Sequence, residues 1–413
     1  MPVVTRLGTG TGFETRPFAA GVRAATEALA RCPTPAPTLV LAFSASSCSP
    51  PEFYQGVRSV VGEGVPIVGG SALGVITSDV ISHEDCASAV AVVASDSLGV
   101  RLASAGSLRA DARAAGCQLG RELAPVRAGE TLLLFYDAIC ESGGAASPPL
   151  LNSAMRLLDG IAEALGPDLP VVGAGLLGDY GFGPTHQFRG SSVESDCAVG
   201  CLVSEGLSAH TAVMHGCIPL DGRYRRITAM EGHVLRELDG RPIVEIFDEV
   251  FDGTGWQAQH PIRSLSVGVN TGARYAHPDG SAHVNHLLTG LTADGLGIAA
   301  FGPDLPIGAE VQLMLRDNKT MFRAARDVST RLLEEVASAG LSPVFALYVD
   351  CAGRTAEFSL TELEEASVVQ GVMREAGVPM FGFYSGSEIA PLLGRNRGMG
   401  WTGVLTLFAE ARP

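Results

Sequence analysis

The sequence predicts an α+β fold, made of tandemly duplicated strand-helix-strand-strand units with mixed sheets and followed by a smaller α+β C-terminal domain. Two observations carry this. Pro66-Ile67-Val68-Gly69-Gly70-Ser71-Ala72-Leu73-Gly74 returns 104 residues later as Pro170-Val171-Val172-Gly173-Ala174-Gly175-Leu176-Leu177-Gly178, and such self-similarity marks a repeated supersecondary unit. The flanks agree: Thr38–Phe43 precedes the first copy as Thr131–Tyr136 precedes the second, and Asp85-Cys86-Ala87 follows it as Asp196-Cys197-Ala198 follows the other. A weaker third echo lies at Val344–Val349 and Pro379–Gly382.

Along the chain, residues 17–31 carry an Ala-rich helical pattern closed by the breaker Pro33, Pro35 and Pro37. Strand 38–43 follows, then Ser49-Pro50-Pro51-Glu52, which reads as a capping box before a helix of about ten residues. Strands are expected at 65–71, 86–94 and 99–103, closing a first repeat of about 36–106. The second repeat, about 129–215, has its helix at 151–165. The polar run Asp221–Arg226 reads as a linker, and a boundary near 240 divides a 1–240 domain from a 241–413 domain. In the latter, strands are expected at 262–270, 309–316, 344–350, 379–384 and 403–409. Helices are expected at 322–339 and at 361–376, with Thr361 and Glu364 as a capping box.

Composition removes several function classes. The net charge of -15 repels phosphate backbones and anionic headgroups, so neither nucleic acid nor a membrane surface is an expected partner. Lys319 is the only lysine among 29 basic residues, which leaves no P-loop lysine and almost no Schiff-base candidate. Apolar runs such as Ala87–Ala94 fall short of the roughly 18 residues that span a bilayer. The first residues lack a basic segment followed by an apolar one, so a cytoplasmic protein is expected. The nine cysteines are scattered without a C-x-x-C pair, so no disulfide framework and no zinc site is expected.

No assembled catalytic motif is present. Gly8-Thr9-Gly10-Thr11-Gly12 follows no strand and reads as a flexible segment rather than a phosphate cradle. His283 and His286 fall in an expected loop without carboxylate or thiolate neighbours, a poor metal pattern. The C-terminal region is more informative. If the strands ending at Cys351 and at Tyr384 are neighbours, then Arg354, Tyr384, Ser385 and Glu388 converge at their ends beside Cys351. Arg354 and Glu388 would then suit the carboxylate and ammonium of an amino acid; the alternative is that the two pair with each other. The turns holding Gly70, Ser71 and Gly175 form a second candidate ligand rim.

Met214-His215-Gly216-Cys217-Ile218-Pro219-Leu220, then Arg226–Gly232 and Glu237-Leu238-Asp239-Gly240-Arg241-Pro242, resemble the end of a FIST N domain and its junction with FIST C. Cys351-Ala352-Gly353-Arg354 and Gly382–Ile389 resemble the two FIST C signature segments. The chain departs from the family pattern at Cys217, where an aromatic residue is common, and at Ser387-Glu388, where a Gly-Glu doublet is usual. The resemblance implies a non-catalytic prokaryotic sensory protein that binds a small ligand such as an amino acid and is coupled to a histidine kinase, a methyl-accepting protein or a cyclic-dinucleotide enzyme. With no segment of that kind in the sequence, the output is expected on a separate chain. It also raises haem as an alternative cofactor, with His215 and His186 as candidate axial ligands. A further alternative is an enzyme that uses Cys351 or Cys217 as nucleophile, which requires a thiol pKa lowered by a basic neighbour such as Arg354.

Overall fold

The computed structural model describes residues 5–34, 36–143, 148–204, 206–277 and 281–412; Pro35 of the expected breaker lies outside them. Its body is three copies of one unit, not two. In the first, β1 (Arg6–Gly12), α1 (Pro17–Arg31), β2 (Leu39–Ser44), α2 (Pro50–Val61) and β3 (Ile67–Ser71) lead to the hairpin β4 (Val75–Thr77) and β5 (Ile81–Ser82), then β6 (Ser88–Ala94). The second runs β7 (Gly99–Gly106), α3 (Ala112–Leu123), β8 (Thr131–Asp137), α4 (Ala154–Leu165), β9 (Val171–Leu176), β10 (Gln187–Arg189), β11 (Ser192–Glu194) and β12 (Cys197–Ser204). The third runs β13 (Ser208–His215), α5 (Asn318–Ser338), β14 (Leu341–Cys351), α6 (Ala366–Glu375), β15 (Met380–Ser385), β16 (Ser387–Leu392), β17 (Arg395–Met399) and β18 (Thr402–Ala411).

Each unit builds one mixed sheet and donates its hairpin to another. Sheet orders are β1-β6-β2-β3-β10-β11, β7-β12-β8-β9-β16-β17 and β13-β18-β14-β15-β4-β5. Within each, the two strands joined by the second helix of the unit lie parallel, as in β2 with β3, β8 with β9 and β14 with β15. The cyclic exchange of hairpins locks the three units into one body. It also corrects the unit limits: Gly99–Gly106 and Ser208–His215 open the second and third sheets. They look like closing strands because in sequence each follows an apolar strand as a hairpin partner would.

The inner faces of the three sheets meet in one core. Phe43, Phe135 and Phe383 stand there in mutual contact, with ring centroids 5.3, 3.9 and 6.0 Å apart. Helix pairs cover the outer faces. The expected flexible segment at Gly8–Gly12 is instead β1, paired along its length with β6. Its three glycines take the close approach of α1: a Cβ on Gly8, Gly10 or Gly12 would stand 2.2 to 2.4 Å from the carbonyls of Ala28, Ala24 and Ala20. Period two on the strand thus meets period four on the helix.

Between β13 and α5 the chain leaves the body. Residues 217–316 form a nine-stranded sheet with the helix Ile243–Val250 and a core around Trp256, Phe247 and Leu265. His283 and His286 lie in a strand of it, not in a loop. Neither expected capping box forms. Ser49 is left-handed with no side-chain cap, and the helix expected from Thr361 starts at Ala366 because Glu364 is engaged elsewhere.

Candidate functional site

The C-terminal ends of the parallel strands from all three units open into a cleft of about 500 Å³. Ser46 and Ser47 come from the loop after β2, Leu73 from the turn after β3, and His83 and Asp85 from the link between β5 and β6. Gly178, Asp179 and Tyr180 follow β9, and Glu357 follows β14. Loops set on the ends of rigid strands are the usual place for polar groups to converge.

His83 is held in place across the units. Its Nε2 lies 2.9 Å from Glu364, which also accepts the Tyr384 hydroxyl at 2.8 Å and the Ala356 amide at 3.0 Å. The hydrogen bond to Glu364 pushes the imidazole above its usual range. Against burial, which acts upward, the bonds from His83, Tyr384 and Ala356 hold the Glu364 carboxyl below its ordinary value. The Tyr180 hydroxyl, pushed up to about 12 by burial, donates to the Ala352 carbonyl at 2.9 Å and lies 2.7 Å from the Thr355 hydroxyl. The cleft therefore presents one imidazole disposed to be protonated beside three carboxylates, Asp85, Asp179 and Glu357.

The residues singled out from the sequence lie behind this cleft. β14 and β15 are parallel neighbours with Cys351 opposite Ser385, but Arg354 and Glu388 neither face a ligand together nor pair. Arg354, 1% exposed, binds Asp350 at 3.0 Å and Glu365 at 2.9 Å and donates to the Trp401 carbonyl at 3.2 Å. Glu388 is fully buried; it accepts from the Ser385 hydroxyl at 2.8 Å and the Thr402 amide at 3.3 Å, and burial pushes its carboxyl up to about 8. Tyr384 reaches the cleft through Glu364 and through an edge contact with the His83 ring, centroids 6.1 Å apart. Gly70, Ser71 and Gly175 are packing positions: a Cβ on Gly70 would stand 2.0 Å from the His186 carbonyl, one on Gly175 would meet the Tyr136 ring, and the Ser71 hydroxyl accepts the His186 amide at 2.9 Å. The rim is made by the residues just beyond them.

The alternative chemistries find little support. Burial pushes Cys217 up to about 11 and Cys351 well above the usual thiol range, the reverse of nucleophile activation. His215 ends β13 in the third sheet, whereas His186 precedes β10 in the first. Neither lines the cleft, and burial lowers the His186 pKa. Sequence reasoning missed His83, Asp85, Asp179, Tyr180 and Glu357. The one available signal was the Gly-rich run Gly178–Gly183 directly after the repeated glycine turn. Among the described residues no helix is long and apolar enough to cross a membrane.

An uncharacterised protein of Mycobacterium tuberculosis strain H37Rv is 32% identical over 259 residues, 60% of this chain and 64% of that protein. An uncharacterised protein of Mycobacterium bovis is 28% identical over 249 residues, 59% of this chain and 62% of its own. The chain thus spans somewhat under two thirds of these relatives. Among solved structures, a cyanuric acid hydrolase from A. caulinodans matches 99% of this chain and 100% of its own with a TM-score of 0.39 and 10% identity. FIST domains are associated with sensory roles in signal transduction. The FIST N domain model matches residues 38–241 and the FIST C domain model residues 244–391: the chain belongs to the FIST family.

Proposed function

We propose that the protein is a non-catalytic sensor of a small metabolite carrying an ammonium group, such as an amino acid, bound in the cleft at the strand ends. The observation that supports it most is the composition of that cleft. Its volume of about 500 Å³ falls in the range of small-molecule sites, roughly 300 to 1,000 Å³. Asp85, Asp179 and Glu357 suit an ammonium group, and His83, with its pKa raised by Glu364, suits a carboxylate through a charge-assisted bond. The partner that receives the signal would be a separate signalling chain.

Thermal shift across the natural amino acids and their N-acetylated and amidated derivatives tests this. A true ligand at about 100 times its Kd adds roughly 2.7 kcal/mol of stability. His83→Gln should weaken carboxylate-bearing ligands, and Asp179→Asn should weaken amine-bearing ones. No stabilisation by any amine at millimolar concentration, or equal stabilisation of the wild type and both variants, would overturn the assignment.

A further inference from the structure

Beneath the aromatic wall of that cleft, where the inserted sheet meets the body, lie two adjoining cavities of about 50 and 40 Å³. They share Leu151, Leu287, Phe301 and Gly386 as walls. By the rule that one water needs about 10–15 Å³, each has room for about three water-sized groups. Tyr180, stacked near Phe358, and Phe182, stacked near Phe301, come from the Gly178–Gly183 run on the outer-cleft side.

Two buried polar side chains line these cavities without partners among the described residues. Asn285 is 1% exposed and lines the first; both its Nδ2 and its Oδ1 lack a hydrogen bond. Trp401 is 2% exposed and lines the second; its Nε1 lacks an acceptor. Leaving a buried polar group unsatisfied is costly, and native folds keep such groups where something fills them. The second cavity is otherwise largely apolar, while the first also carries Asn152, His286, Asp304 and Ser387. Burial lowers the His286 pKa to about 4 and Asp304 already accepts from Ser153 and Met155, so an anionic occupant is disfavoured.

We propose that these joined cavities form a second ligand site, distinct from the outer cleft, for a small neutral primary amide with a short apolar body. A carboxamide offers a donor and an acceptor side by side, which is what the Asn285 amide lacks. Leu151, Leu287 and Phe301 would hold the hydrocarbon part. In the second cavity the Trp401 N–H would reach an acceptor on a longer ligand or on a water carried in with it.

The indole N–H signals of protein labelled with ¹⁵N-tryptophan test this. The chain has 2 tryptophans, and the Trp256 indole N–H is already bonded to Asp248 at 2.7 Å, so it serves as the internal reference. Titration with propanamide and isobutyramide should move the Trp401 signal saturably, with millimolar Kd, and leave Trp256 in place; sodium isobutyrate should do neither. Asn285→Leu, which keeps the volume and removes the orphaned amide, should weaken the response by about tenfold or more. Leu287→Trp, which fills the shared wall, should abolish it, and circular dichroism of both variants confirms folding. A Trp401 signal that does not saturate with any amide, or an identical response in Asn285→Leu, would overturn the proposal. So would a crystal of the amide-soaked protein with ordered water only in both cavities. An outer-cleft ligand engages His83 and Asp179, so His83→Gln separates failure of this site from failure of the other.

Discussion

Replacing Arg354 with methionine is the most informative single perturbation of this fold. The guanidinium bridges Asp350 and Glu365, both 0% exposed. Glu365 also accepts the Tyr348 hydroxyl at 2.8 Å. Removing one member of a buried ion network leaves uncompensated charge and costs about 3 to 5 kcal/mol. If the three-unit body unfolds as one cooperative block of roughly 300 residues, at about 2.1 cal/mol/K per residue, the melting temperature falls by about 5 to 8 °C.

The loss should depend on pH, with a sign fixed by the carboxylates. Burial, together with Glu365, already pushes Asp350 well above its usual range, and Arg354 opposes that rise. Without the arginine, Asp350 takes up a proton more readily in the folded state than in the unfolded one. Stability of Arg354→Met is then fullest in acid and falls as pH rises through the raised folded pKa. Calorimetry at pH 5 and pH 8 should show the larger deficit at pH 8, and Asp350→Asn with Glu365→Gln in the same chain should recover most of it. A deficit below about 1 kcal/mol, or one equal at both pH values, would refute the buried-network account.

Two further outcomes follow from single residues. Glu388, pushed up to about 8 by burial, keeps a proton that the unfolded chain has released near neutrality. Its contribution is full below the ordinary carboxyl range and lost as pH rises through about 8; Glu388→Gln should therefore flatten the fall in melting temperature between about pH 5 and 8, and an unchanged slope would disprove the shift. Gly173 has φ +153, and a Cβ there would stand 1.9 Å from the Leu134 carbonyl of the neighbouring strand. Gly173→Ala should cost at least about 3 kcal/mol in denaturant unfolding, whereas Gly129→Ala, in open space, should cost far less; equal costs would count against the close-approach reading.

Most strands and helices were legible because each has the local period its environment demands. β8 is buried at every position and carries the apolar run Leu132–Tyr136, and α4 shows the one-sided spacing of a helix laid on a sheet. What escaped was non-local. Nothing in Val75–Ser82 announces that this hairpin joins a sheet whose other strands begin more than a hundred residues later. Gly8–Gly12 looked mobile because glycine carries no hydrophobic signal, yet glycine is what lets α1 approach. Thr361 and Glu364 had cap spacing, but His83 and Tyr384 claim the Glu364 carboxylate. Arg354 was correctly placed at the end of a buried strand, while its partners Asp350 and Glu365 lie four residues back and eleven residues on, where no short motif links them.

The threefold plan also explains why the chemistry is asymmetric. Paired positions near the ends of the parallel strands are Ser44 with Ser71, Tyr136 with Gly175, and Asp350 with Tyr384, and the last two ladders close one pair later at Asp137 with Leu176 and Cys351 with Ser385. The repeat fixes the backbone at these ends, so only side chains decide what each mouth becomes. The first unit keeps small hydroxyls and leaves room for the cleft at Ser46 and Ser47. The second fills its end with the Tyr136 ring and, one residue on, buries Asp137, which Arg109 binds at 2.9 Å. The third buries a carboxylate that requires Arg354, and Arg354 in turn holds the Trp401 carbonyl at 3.2 Å. Arg316, at the exit of the inserted sheet, donates to the Gly353 carbonyl at 2.8 Å and lies 4.9 Å from the Trp401 ring. The insertion thus docks on the third unit beside this network, and on the second unit, where the Phe301 carbonyl accepts the Leu151 amide at 2.7 Å and Asp304 accepts from the Ser153 hydroxyl and the Met155 amide. A buried ion network has few alternative arrangements that satisfy every member, so it gives the inserted sheet a defined seat on an otherwise repetitive body.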